Sequence, residues 1–268
     1  MTIRPLVRQR RHTFYFLRTI RGFAPVFLDT DVDMSRVQEL REAARESGRR
    51  YSPVAVTILA AARALAAHPR ANAALHGVLR PRIETYDRVD VKVALDKTLD
   101  GERVVLSAVL RDADVADLDE IQAKLGHYRG GDAGQMPEFA PVRRLQRLPT
   151  LLGSLLFRRT VRPPAGRRRV MGTLAVSSLS HRPVNGFHSV GGTTITLGLG
   201  QITDRPVVRD GRVVIAPVMR LNLAFDHRVV DGAEAADLLA DIKLAVEEFR
   251  LPVVHGVPDP AEPRGGVR

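Results

Sequence analysis

Apolar residues recur at helical spacing in four stretches of the chain and alternate with polar ones in several others. Between Asp33 and Gly48, Val37, Leu40 and Ala44 share one helical face, with Ser35 as a cap and Gly48 as a stop, which predicts a surface helix. Ser52-Pro53 places a capping hydroxyl and a first-turn proline before a run to Ala67 that is apolar on nearly every face. This predicts a buried helix that ends before Pro69. Val115, Leu118, Ile121 and Leu125 predict a third helix stopped at Gly126. Leu238, Leu239, Ile242, Val246 and Phe249 share a face of a last helix, about Ala233 to Arg250, that packs on a sheet.

The strand-like runs are Val89 to Leu95, Val104 to Leu110, Gly172 to Leu179, Thr193 to Leu199 and Met219 to Phe225. The first two are joined by the mostly polar link Asp96 to Glu102 and form a hairpin. Val207 to Val214, with Asp210-Gly211 at its centre, predicts a second hairpin, because Asp-Gly tolerates the positive φ angles of a tight turn. From Gly130 to Arg169 the periodicity fades into glycine, proline and arginine, and the expectation there is a long excursion, in part a helical flap. Residues 251–268 read as a disordered tail. No internal repeat is present.

Composition narrows the class. With 268 residues, 44% hydrophobic and 26% charged, the chain can bury one sizeable core, and one domain is expected over residues 21–250, after a basic arm at 1–20. The absence of cysteine removes thiolate nucleophiles, disulfides and cysteine-rich zinc sites, and fits a reducing compartment, with the cytoplasm as the default. The N-terminus lacks the charged-then-apolar order of a secretory signal. Leu148 to Phe157 contains Pro149 and is far shorter than the roughly 20 residues that span a bilayer. Net charge is +11, concentrated as arginine at Arg4 to Arg21 and Arg143 to Arg169. Such runs are most often solvated surface or subunit contacts, and no nucleic-acid motif accompanies them.

The candidate chemistry lies where a strand passes into the last helix. His227 follows the strand, at a place where a side chain projects into a cleft. Neutral imidazole, with an unperturbed pKa of about 6.5, takes a proton from a hydroxyl or thiol at cellular pH. Asp231 lies four residues on. With Glu234 it has the form of a helix cap, and a supporting role is favoured over direct chemistry.

The segment Asp226-His227-Arg228-Val229-Val230-Asp231-Gly232 resembles the active-site motif of the catalytic domain of 2-oxo acid dehydrogenase acyltransferases and, more distantly, that of chloramphenicol acetyltransferase. The resemblance extends to Ala24-Pro25-Val26-Phe27 through Asp33, Pro69 to Leu75, Arg111 to Asp114, Leu197 to Ile202 with Asp204-Arg205-Pro206, and Pro217 to Phe225. It covers most of residues 20 to 250. Gly172 to Ser178 resembles the strand near which the family carries a hydroxyl that steadies the tetrahedral oxyanion, and this places that role on Ser177.

The resemblance implies a mixed α/β two-layer fold of the chloramphenicol acetyltransferase type, a trimer with active sites between subunits, and a coenzyme A thioester as co-substrate, without a metal. It differs from the family's usual pattern at Val26, where histidine is frequent, and at Ser178, where asparagine is common. The family's multienzyme members carry a swinging lipoyl domain and a subunit-binding domain, and neither fits within the first 20 residues. A free-standing form without its own lipoyl group is therefore expected. Its acceptor would be a small-molecule hydroxyl, such as that of a tetronate or polyketide intermediate, and the main alternative is a dihydrolipoyl group on another chain. A non-catalytic trimeric scaffold is the reading from a different class. Nucleic acid and membrane are not expected partners.

Overall fold

Side-chain caps at Ser52 and Asp117 set the starts of two helices, and some helix starts differ from those expected. The structure is a computed structural model that describes residues 5–77 and 79–250. The tail expected over residues 251–268 lies outside the described residues. The basic N-terminal segment contains a helix, α1 (Arg11–Thr19), followed by strand β1 (Pro25–Asp33). Helix α2 (Ser35–Glu46) begins at the serine expected to cap it; the cap position falls to Met34, and the Asp33 carboxylate accepts from the Ser35 amide at 2.9 Å. Helix α3 (Pro53–Ala66) starts as expected, with the Ser52 hydroxyl accepting from the Ala55 amide at 3.1 Å. It is buried on almost all sides, and truncating a side chain such as Leu65 there would cost about 2–5 kcal/mol.

Short strands β2 (Ala73–His76) and β3 (Arg82–Thr85) pair with each other outside the main sheet. The expected first hairpin is β4 (Val91–Leu99) with β5 (Glu102–Leu110). The polar link read as a loop is mostly strand. Only Asp100-Gly101 turns, with φ of 50° and 80°, so Asp96 to Leu99 continue the ladder. Helix α4 (Leu118–Gly130) starts later than its apolar spacing suggested, because the Asp117 carboxylate caps it by accepting from the Glu120 amide at 2.7 Å. Val115, counted on its apolar face, is 61% exposed and outside the helix.

The excursion is three short helices, α5 (Ala140–Arg147), α6 (Thr150–Val161) and α7 (Pro164–Met171), separated at Pro149 and Pro163. The chain then returns through β6 (Leu174–Ser178), the long hairpin β7 (Ile195–Arg209) and β8 (Arg212–Asp226), and α8 (Gly232–Glu247). The second Asp-Gly pair turns that hairpin, with φ of 51° and 73°.

The main sheet runs β1-β8-β7-β6-β4-β5. Its two central pairings, β7 with β6 and β6 with β4, are parallel and the others antiparallel, which gives the mixed α/β architecture expected. Alternation divides its faces. Val91, Val93, Leu174, Val176, Ile195 and Leu197 enter the main core with α3 and α8. The opposite face carries Lys92, Ala94, Ser107, Ala175, Ser177 and Thr196, small side chains apart from the lysine.

Helices α1, α5, α6 and α7 roof this second face without filling it. A cavity of about 320 Å³ remains, walled by Phe16, Leu17, Leu145, Phe157 and Met171. Tyr15, 1% exposed, locks α1 to α6: a Cβ at Gly153 would lie 2.5 Å from its hydroxyl, so only glycine admits this approach. The Asp90 carboxylate, fully buried just before β4, ties the roof to the sheet. It accepts from Arg168 of α7 at 2.9 Å, from Arg111 at 3.1 Å and from the Asp112 amide at 3.0 Å.

Candidate active site

The loop between β8 and α8 is held by Asp226. This residue is almost fully buried, and its carboxylate accepts from Arg228 Nε and Nη2 at 2.8 and 2.5 Å and more weakly from the Ala24 amide at 3.4 Å. Its carbonyl accepts from the Val229 and Val230 amides. Burial works to raise the Asp226 pKa, but the hydrogen bonds and charge of Arg228 outweigh it and hold the carboxyl below its usual value. Arg228 in turn lies over the Phe23 ring, 5.1 Å from its centroid.

His227 is therefore carried on a fastened turn. Its amide donates to the Ala24 carbonyl at 2.9 Å, and its ring sits 5.5 Å from that of Phe225. The imidazole is 47% exposed, and its Nδ1 is 3.7 Å from an Asp231 carboxylate oxygen, too far for a direct hydrogen bond. Asp231 occupies the position before the first turn of α8, yet its side chain makes no capping hydrogen bond and is 91% exposed. The capping role read from Asp231 and Glu234 is thus not what this carboxylate does: it faces His227.

Ser177 lies elsewhere in the same chain. It pairs in register with Gly198, which pairs with Asn222 on β8, whereas His227 follows the end of that strand. The five residues from Asn222 to His227, together with two strand spacings, separate the two side chains by on the order of 15–20 Å. Ser177 lines the cavity, and its hydroxyl has no hydrogen-bond partner among the described residues. One chain brings His227 and Asp231 together, and it does not bring Ser177 to them.

A second concavity, about 670 Å³, opens beside the Asp226 loop. Seven arginines line it, among them Arg21, Arg158, Arg162 and Arg228, and no carboxylate does. Both arginine clusters of the sequence contribute to it. Sequence reading missed Lys92 and His12, which line the cavity at Ser177. The available signal for Lys92 was its place inside the apolar alternation of β4, where a strand lysine must occupy the face opposite the core. Among the described residues, no group of three histidine, aspartate or glutamate side chains could hold a metal ion, and no helix is long and apolar enough to cross a membrane.

The chain belongs to the family described as 2-oxoacid dehydrogenases acyltransferase (catalytic domain), which it matches over residues 3–130 and 171–254. Residues 131–170, the segment of helices α5 and α6 and most of α7, fall between the matched blocks.

Among curated relatives, the dihydrolipoyllysine-residue acetyltransferase component of the pyruvate dehydrogenase complex of Bacillus subtilis is 47% identical over 55 residues, 20% of this chain and 12% of that protein. Its counterpart from Staphylococcus aureus is 42% identical over 60 residues, 22% of this chain and 14% of that protein. The matched stretch thus spans about an eighth of those relatives. The fold is similar to that of a dihydrolipoamide acetyltransferase of Azotobacter vinelandii, with a TM-score of 0.69 and 19% identity over 93% of both chains. A probable dihydrolipoamide acetyltransferase of Listeria monocytogenes has a TM-score of 0.68 and 18% identity, covering 92% of this chain and 94% of the other.

Proposed function

We propose that this chain transfers an acyl group between coenzyme A and a thiol or hydroxyl acceptor, with His227 as general base, Ser177 as oxyanion donor and Asp231 orienting the imidazole. The observation that carries the reading is the braced loop that presents His227 to solvent within the family's motif. In the direction from the thioester, neutral His227 removes the acceptor proton as the acceptor oxygen or sulfur attacks the thioester carbonyl carbon. The carbonyl oxygen becomes an oxyanion, and the Ser177 hydroxyl donates to it. The carbon–sulfur bond then breaks, and the leaving thiolate takes the proton back from His227, so no acyl-serine forms. A donor aimed at charge that develops only in the transition state favours that state over the bound substrate.

Because His227 and Ser177 are far apart in one chain, this chemistry needs Ser177 from a second copy. The trimer expected from the family, with sites between subunits, supplies such a copy. The arginine-lined concavity beside the loop suits the phosphates of coenzyme A, since closely spaced guanidinium groups without carboxylates favour a polyanion.

The curated relatives favour a dihydrolipoyl group on another chain as the acceptor. A small-molecule hydroxyl, such as that of a tetronate, is the second reading, and the roof beside Ser177, built largely from residues outside the family match, is the observation in its favour. Transfer from acetyl-coenzyme A to free dihydrolipoamide, set against a panel of alcohols, separates the two. His227→Ala should lower turnover by about 10²–10⁴-fold with an unchanged thermal transition. Near-normal turnover by that variant would remove the catalytic assignment.

A further inference from the structure

Lys92 stands where an amine is least favoured. It lies within β4, 7% exposed, on the cavity face of the sheet. Its ammonium donates to the Gly191 carbonyl, lies 3.7 Å from Met171 Sδ and sits 4.6 Å from the centroid of the Phe16 ring. Among the described residues no carboxylate lines the cavity, and none pairs with Lys92. The charge that acts on it has the same sign: Arg167 of α7, half-buried, donates to the Gly192 carbonyl at 2.8 Å and repels the ammonium. Burial first, and Arg167 second, push the Lys92 pKa down to about 7.

The other titratable group on the cavity wall offers no compensation. Gln146 Nε2 donates to His12 Nδ1 at 2.9 Å, and His12 Nε2 donates to the Val105 carbonyl at 2.9 Å. Both ring nitrogens are engaged in the neutral form, and burial holds the His12 pKa below its ordinary value. A buried amine without a counter-charge weakens a fold, and such groups persist where a ligand uses them. The remaining lining is apolar or small, and the volume is at the lower end of the roughly 300–1,000 Å³ typical of small-molecule sites.

We infer that this cavity binds an aliphatic chain ending in an anionic group, with the anion against Lys92 and the chain lying along Ala94, Ala175 and Thr196 toward Ser177. The inference deepens the acyl-transfer reading and rests on it for the role of Ser177. Two substrates of that reaction reach Ser177, the acyl group of the thioester and the acceptor, and either can supply such a chain. Most of the helices that close the cavity lie in residues 131–170, between the two blocks that match the family.

Octanoate is the probe and 1-octanol its uncharged control, both titrated calorimetrically at pH 7 into the full chain, into Lys92→Met and into Ala94→Leu. The wild-type protein should bind octanoate at least about tenfold more tightly than octanol, the margin of a charge-assisted hydrogen bond. Lys92→Met, unbranched and of similar length, should erase that preference and melt at a higher temperature, which a purely structural lysine would not do. Ala94→Leu, which narrows the cavity without touching the amine, should weaken both ligands.

Equal affinities in the wild type, a preference retained by Lys92→Met, or no saturable octanoate binding would overturn the proposal. Octanoate inhibition competitive with the thioester assigns the anion to the acyl group, inhibition competitive with the acceptor assigns it to the acceptor, and inhibition competitive with neither overturns the placement beside Ser177. Turnover of acetyl-coenzyme A in the same preparations keeps the two readings apart. An active enzyme indifferent to octanoate contradicts only the cavity proposal, and octanoate binding by an inactive chain contradicts only the acyl-transfer reading.

Discussion

Two buried charges set the chemistry at the scale of single residues, and they behave oppositely. Asp226 is matched: Arg228 and backbone amides surround it, so its carboxyl is held below the usual range. A depressed carboxylate stabilises the fold above its unfolded pKa, near 4, and that contribution is lost as pH falls through the lower folded value. Acid unfolding monitored by circular dichroism should therefore begin below about pH 4 in the wild type, and Asp226→Asn should flatten that limb. Because Asp226 also fixes the turn under His227, the same variant should lose turnover by on the order of 10²-fold, the cost of misplacing a catalytic group by about 1 Å. Lys92 is unmatched, with a pKa brought down to about 7. Below that value the ammonium is present to receive an anion, and above it the amine is neutral. Octanoate stays ionised throughout, so its affinity should fall as pH rises from about 7 to 9. A flat profile would separate the anion from Lys92.

Among the elements, the roof helices have the largest consequences and were the least legible in the sequence. Helices α5, α6 and α7 run 8, 12 and 8 residues, too short for periodicity to show above the arginines and prolines that punctuate them. The hairpins were legible because Asp100-Gly101 and Asp210-Gly211 encode their turns locally, and α3 because Ser52-Pro53 encodes its start. His227 was legible because its motif is contiguous in the chain. Lys92 was not, since the roof that buries it comes from residues far along the sequence. That roof hangs on Asp90. Asp90→Ala should cost about 2–3 kcal/mol in urea unfolding, less than a fully enclosed pair because Arg111 and Arg168 can rehydrate. Gly153→Val should separate α6 from Tyr15 and weaken octanoate binding, while leaving the α3–α8 core intact.

For the whole molecule, the decisive feature is that the two halves of the candidate site lie apart within one chain. His227 and Asp231 lie past the end of β8, while Ser177 lies inside the roofed face of the sheet. Under the proposed mechanism, one copy alone would hold the base without the oxyanion donor beside it. Assembly would then be part of catalysis, and dilution below the dissociation constant of the assembly should abolish turnover before it unfolds the chain. Co-expression of His227→Ala with Ser177→Ala tests this directly, since neither variant alone keeps both groups. Mixed assemblies place an intact His227 against an intact Ser177 at some interfaces, and activity should return well above that of either parent. Mixed assemblies no more active than the parents would show that the two residues do not meet between copies.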